Sequence, residues 1–181
     1  MANKAGSLTG QLSPEIIILG YLTQGSRYGY EMHKQATKDL EEVWHISQSQ
    51  LYSIIKRLAS RGEIAIEEVT QEKLPSRQLL HLTEQGKNRF NTWLLSVAQG
   101  STRVIRLEFV TRIYFLSILE PVRIPRIFEA QINAVDLSKI KLERRLALLP
   151  PTNVFNKKSI QLRIMQLDVT KKWLENWKEE I

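Results

Sequence analysis

The chain has 181 residues, 43% of them hydrophobic and 25% charged, with a net charge of +7 and a pI near 9.7; this is ordinary globular composition, enough for one or two modest domains and unlike a disordered chain. It contains no cysteine, which excludes disulfides, thiolate zinc sites and thiol chemistry and fits a reducing compartment. No run of about 18 apolar residues marks a membrane span, and the start, Met1-Ala2-Asn3-Lys4, lacks the apolar core of a secretion signal, so a cytoplasmic protein is expected.

In chain order, Ser13-Pro14-Glu15 reads as the cap and first turn of a helix, because proline's missing N–H costs nothing there and a carboxylate suits the helix dipole. Ile16, Ile17, Leu19 and Leu22 make that helix apolar enough to be buried. Thr23 to Gly25 breaks the pattern, and Ser26 is the expected cap of a second helix running through Arg27, Tyr28, Tyr30, Met32 and Ala36 to about Leu40. Gly29 within it costs about 1 kcal/mol relative to alanine, which implies close packing. A short apolar bridge, Val43 to Ile46, places Trp44 at the junction with a third helix.

That third helix is capped by Ser47 and stopped by Gly62, the residue suited to a left-handed exit. Leu51, Ile54, Ile55 and Leu58 form one apolar stripe. The opposite face carries Ser49, Ser53, Lys56 and Ser60, flanked by Tyr52 and Arg57, and no acid occurs from Val43 to Gly62. Ile64 to Val69 alternates with period two and Gln78 to Leu82 resumes an apolar run, so a β-hairpin is expected, with Lys73 and Arg77 near its tip and return. Thr83 then caps a helix that buries Phe90, Trp93, Leu94 and Val97.

Three helices and a hairpin make a winged helix-turn-helix. The fold class is therefore mainly α with a small β-hairpin, the winged domain being followed by an α-helical domain. The small polar break from Ala98 to Thr102 divides the chain into domains 1–97 and 98–181. Beyond it, Arg103 to Leu119 reads as one helix. Phe128, Val135, Leu142 and Leu149 recur every seven residues, with Ile132 and Leu146 between them and Lys139 interrupting the series. Pro150-Pro151 ends that helix. The last, about Asn153 to Glu180, has one stripe with Ile160, Ile164, Leu167 and Leu174 and another with Leu162, Met165, Val169 and Trp173. So wide an apolar surface implies a homodimer, with Phe128, Ile132, Val135, Leu142, Leu146, Leu167, Trp173 and Leu174 as dimerisation residues.

Several stretches together resemble the PadR family of bacterial transcriptional regulators, in the branch with a long helical C-terminal domain: Leu19-Gly20-Tyr21-Leu22, Tyr28-Gly29-Tyr30-Glu31, Trp44 to Ser47, Ser49-Gln50-Leu51-Tyr52, and Pro75-Ser76-Arg77 leading to Leu82-Thr83-Glu84-Gln85-Gly86. The resemblance is strong over residues 12 to 96 and looser afterwards. It implies a homodimeric DNA-binding protein, usually a repressor, whose C-terminal helices make the dimer and sometimes respond to a small molecule. Three residues before Thr83, where the family commonly has tyrosine, this chain has Leu80.

A recognition helix offers its N-terminal end to the major groove, while flanking groups hold phosphates. Gln48 and Ser49, with Gln50 and Ser53, are the candidate base readers, since glutamine pairs with both the donor and the acceptor of adenine. Tyr52, Lys56 and Arg57 on the helix, and Lys73 and Arg77 on the wing, are candidate phosphate ligands. Bulk charge does not single out this region: residues 1–96 carry 11 Lys and Arg against 10 Asp and Glu, whereas 97–181 carry 15 against 9.

The competing class is a winged-helix module that binds protein without specific DNA binding. An enzyme is not expected, because there is no thiol, no Gly-rich phosphate loop and no paired general acid and base. His33, His45 and His81 lie on separate elements without ligand spacing, so neither a metal nor a cofactor is expected. Trp93, Tyr114, Trp173 and Trp177 are the aromatic candidates for a small-molecule effector pocket. The expected partners are double-stranded DNA, a second copy of the chain and such an effector, with no membrane.

Overall fold

The computed structural model describes residues 14–71, 74–98 and 100–181, apart from the side chains of 70, 71 and 74–76. The protein is mainly helical with one small antiparallel sheet, and it divides into two compact units, Met1–Lys87 and Asn88–Ile181. The divide falls inside a helix, upstream of the polar break at 97/98.

The first unit contains α1 (Glu15–Leu22), β1 (Arg27–Tyr28), α2 (Gly29–Leu40), α3 (Gln48–Ser60), β2 (Ile64–Gln71) and β3 (Leu74–Leu82). As its sequence demands, α1 is buried on nearly every face. It starts after Pro14, and the Ser13 cap lies outside the described residues. Met32, Leu51, Ile55, Leu58 and Leu80 complete the core, each 1% exposed or less; burying such a side chain contributes about 1.5–3 kcal/mol.

The second helix begins later than the Ser26 cap predicts. Arg27 and Tyr28 are extended and pair with Leu80 and Leu79, giving a sheet of order β1-β3-β2. The Ser26 hydroxyl instead lies 2.7 Å from Nδ1 of His81, and the backbone N–H of Tyr28 donates to the Glu31 carboxylate at 3.3 Å. A local cap thus loses to strand pairing with a distant part of the chain, an interaction no short window contains. Gly29 opens α2 directly against α3: a Cβ there would sit 3.2 Å from the Tyr52 ring and 3.3 Å from Ile55. His33 donates from Nε2 to the carbonyl of Ile46 at 2.8 Å, pinning the bridge between α2 and α3.

Gly62 takes φ +68° and turns the chain from α3 into the hairpin. There Ile64 pairs with Leu82 and Val69 with Arg77, with an irregularity between Val69 and Gln71. The Thr83 hydroxyl donates to Gly62 O at 2.7 Å and accepts from Gly86 N–H at 3.2 Å, starting α4 (Glu84–Leu94). A Cβ on Gly86 would collide with the backbone carbonyl of Glu63, and backbone cannot swing aside as a side-chain tip does. Gly86→Ala is expected to destabilise the first unit by about 1–3 kcal/mol, the usual cost of overpacking, read as a lowered urea midpoint.

The second unit continues with α5 (Thr102–Val104), a π-helical turn (Ile105–Phe109), α6 (Val110–Leu119), a 3-10 turn (Pro121–Arg123), α7 (Ile124–Ala147) and α8 (Val154–Glu179). The helix expected from Arg103 to Leu119 is therefore interrupted by a wider turn, which changes the phase of its apolar residues. Ile105 and Phe109 point inward along with Ile113, Phe115 and Leu116. Phe109, Phe128 and Trp177 meet edge to face at centroid separations of 5.0–6.0 Å, the geometry that ring quadrupoles favour.

The seven-residue series is used within the chain. Phe128, Val135 and Leu142 on α7, and Leu167 and Leu174 on α8, are all buried in this unit, so the assignment of these five as dimerisation residues is corrected. An antiparallel α7–α8 pair inside one chain satisfies the same periodicity that a pair from two chains would. Ile132 and Leu146 are half-buried and Trp173 is exposed. Lys139, the interruption in the series, donates to Asp168 at 2.5 Å, and that bond raises its pKa.

Candidate nucleic-acid interface

The N-terminal end of α3 is built by a reciprocal cap. Ser47 Oγ accepts from Gln50 N–H at 3.2 Å while Gln50 Oε1 accepts from Ser47 N–H at 2.9 Å, satisfying two backbone donors at once. The Gln50 side-chain oxygen is engaged in the cap, though Gln50 is itself exposed; Gln48 and Ser49 are the other outward groups of the first turn. Both are exposed. Ser49 Oγ lies 3.1 Å from Ser47 Oγ, and the exposed Ser53 hydroxyl turns back to donate to Ser49 O at 3.0 Å.

Lys56 is exposed on the same face. Tyr52 is also exposed, one ring edge lying against Gly29. Arg57 lies elsewhere: its Nε donates to the buried Glu15 carboxylate at 3.2 Å, beside Arg61 at 2.7 Å. Its charge is thus shared with α1, while its side chain stays 52% exposed. The carboxylate of Glu15 ties the end of α3 to the start of α1, a link hidden in the sequence because its partners lie far apart along the chain.

The wing adds a cluster that residue-by-residue reading does not assign. Tyr28 and Tyr30 stack with centroids 5.9 Å apart at 16°, and the Arg77 guanidinium stands 5.7 Å from the Tyr30 ring centroid. Together with Tyr52, Gly29, Ile55, Glu68, Gln78 and Leu80 they line a hollow of about 260 Å³. Partial desolvation and the Glu31 carboxylate, to which its hydroxyl donates at 3.2 Å, raise the pKa of Tyr30; the phenol remains a hydrogen-bond donor at neutral pH. The strand pairing of β1 with β3 brings Tyr28 and Tyr30 to Arg77. The visible signal in the sequence is the aromatic pair flanking a glycine, which helical spacing alone places along one helix.

Leu80 is fully buried and pairs with Ile66 and Arg27. Where the family resemblance implies a tyrosine, this chain has a core hydrocarbon. Lys73 lies outside the described residues. Glu67 is 2.9 Å from His81 Nε2. Among the described residues, no cluster of His, Asp or Glu suited to a metal ion occurs, and no helix is long and apolar enough to cross a membrane.

The aromatic effector candidates belong to the second unit. Trp173 and Trp177 lie 5.0 Å apart, and Trp177 packs into the Phe109–Phe128 cluster. Trp93 packs on Phe90 at 5.9 Å and carries the Arg112 guanidinium at 4.8 Å over its ring. Tyr114 meets Phe115 edge-on at 5.1 Å. Arg112 is buried, donates to Trp93 O at 3.2 Å and to Ser96 Oγ at 3.3 Å, and burial pulls its pKa down to about 10 against the opposing pull of Glu108.

Residues 18–92 match the Transcriptional regulator PadR-like family. The chain is 29% identical over 132 residues to the Negative transcriptional regulator PadR of Bacillus subtilis (strain 168), a match covering 73% of this chain and 66% of that relative. It is also similar to the crystal structure of Bacillus subtilis PadR in complex with operator DNA, at 22% identity and TM-score 0.46, covering 92% of this chain and 97% of that one. A PadR-like transcriptional regulator from Bacillus cereus aligns at 20% identity and TM-score 0.42 over 97% of this chain and 99% of that one.

Proposed function

We propose, from the match of residues 18–92 to the PadR-like family of transcriptional regulators, that the chain is a sequence-specific DNA-binding repressor that acts as a homodimer on a roughly palindromic operator in the cytoplasm. The observation that carries this reading is the outer face of α3, where Gln48, Ser49, Ser53, Tyr52 and Lys56 are exposed with no acid between Val43 and Gly62. In this reading Gln48 and Ser49 contact base edges in the major groove, while Tyr52, Lys56 and Arg77, with Tyr30 alongside, hold the phosphates. Lys73 is assigned to the wing's phosphate contacts on its sequence position. The name of the Bacillus subtilis relative, a negative regulator, supports repression.

Dimerisation is assigned to the second apolar stripe of α8, where Leu162, Met165, Val169 and Trp173 are 56%, 65%, 71% and 42% exposed. Release by a small-molecule effector belongs to the same reading, with quenching of Trp173 and Trp177 as its optical signal. Selection of bound genomic DNA at physiological salt, followed by gel shift, tests the proposal. The expected result is one enriched pseudo-palindrome with half-sites about one helical turn, roughly 10 base pairs, or a multiple of it apart. Weak binding indifferent to sequence identifies instead a winged-helix module for protein partners.

A further inference from the structure

The second unit holds a cleft of about 460 Å³ between the loop at Gly100 and one flank of the α7–α8 pair. Its cations come from separate segments: Arg103 follows the loop, Lys141 and Arg145 lie on α7, and Arg163 lies on α8. Among the described residues no carboxylate lines it. Gly100 permits this convergence, because any Cβ there would collide with the carbonyl of Ala134 and the hydroxyl of Ser138 on α7, so only glycine lets the loop approach so closely.

The charges of the α7–α8 pair are sorted by flank. Lys171 pairs with Asp136 at 2.8 Å and Lys139 with Asp168 at 2.5 Å. At about 100° per residue, Asp136 and Lys139 face away from Ser138, Lys141 and Arg145 across the buried seam. One flank is neutralised by ion pairs, while the other keeps its positive charges around a concavity.

We infer that this cleft binds a multiply phosphorylated small molecule, an activity that goes beyond the DNA reading and does not depend on it. Four cations call for an anion of several charges, which a di- or triphosphate carries and a single carboxylate does not. Guanidinium groups meet phosphate oxygens in paired hydrogen bonds. The hydroxyls of Ser101, Thr102 and Ser138 and the Gln166 amide add donors, and Leu142 and Leu167 give the floor an apolar part for an organic group. A field concentrated in a concave site favours a compact anion that enters it over a duplex that lies across it.

The test is calorimetric titration of the full chain with sodium pyrophosphate and with adenosine triphosphate, at about 150 mM salt so that diffuse surface attraction is screened. Saturable binding is expected, weakened about tenfold or more by R145Q/R163Q because charge-assisted bonds are removed. The charge-matched K157Q/K158Q on α8 lies outside the cleft and is expected to leave binding unchanged. Both pairs change predominantly exposed side chains. Absence of binding by either probe overturns the inference. So does an equal loss in both variants, which reports bulk charge, and so does loss of operator affinity in R145Q/R163Q without binding of either probe, which gives the cleft to the DNA backbone.

Discussion

Operator binding by Tyr52→Ala/Lys56→Ala is expected to fall by about one to two orders of magnitude, with the slope of log affinity against log salt flattening by about 0.9, the share of Lys56 alone, because the uncharged Tyr52 phenol displaces no counterion. Both side chains are exposed on the acid-free face of α3, so their removal leaves the Leu51, Ile54, Ile55 and Leu58 stripe in place; Lys56→Ala alone should keep the thermal midpoint of the parent, whereas Tyr52→Ala also loses the ring contact with Gly29. Gln48→Ala should behave differently. On the proposed assignment of Gln48 to a base edge, its removal costs about 1–3 kcal/mol at one operator position and leaves the salt slope unchanged. Gel shifts across a salt series separate the two, and unchanged affinity with an unchanged salt slope in the double variant would mean that DNA docks elsewhere. Ser47→Ala is a useful contrast: it removes the oxygen that accepts the Gln50 backbone N–H, a cap worth about 0.5–2 kcal/mol, and so should register in stability before specificity.

Met165→Glu/Val169→Glu is expected to convert a micromolar dimer to monomer by sedimentation equilibrium and to lower operator affinity by at least about a hundredfold, because linking two half-site readers raises avidity by that order. Both side chains are largely exposed on α8, so in a monomer the substitutions place carboxylates in water, whereas across a dimer seam they bury like charges. Retention of the dimer by this variant moves the interface to another face. Leu174→Ala gives the converse result. Leu174 is fully buried within its own unit, so its truncation should lower stability by about 2–5 kcal/mol without specifically weakening association.

Patterns confined to one turn or one strand are readable from the chain. The Ser47 cap and the Gly62 exit are local events, set by a side-chain oxygen and a backbone angle, and both appear where spacing puts them. The α3 stripe and the alternation that makes β2 are equally local. Sequence and structure diverge where two distant segments compete for one group. Ser26 reads as a cap, but β3 captures Arg27 and Tyr28; Arg57 reads as a phosphate ligand, and the Glu15 carboxylate already shares its charge. The seven-residue series does mark a seam, yet the seam joins two helices of one chain, because periodicity states that a face is buried and is silent on whether its partner belongs to the same chain.

Caps, stops and period are properties of neighbouring residues, so the chain alone specifies the winged helix, the acid-free outer face of α3 and the helical class of its second half. Contacts between distant segments settled the rest: they pair Arg57 with Glu15 while leaving it exposed, gather Tyr28 and Tyr30 beside Arg77, and turn the α7 series inward. Hydrogen-bond capacity and apolar surface are satisfied by whichever partner folding brings within reach, and those partners lie tens of residues away along the chain.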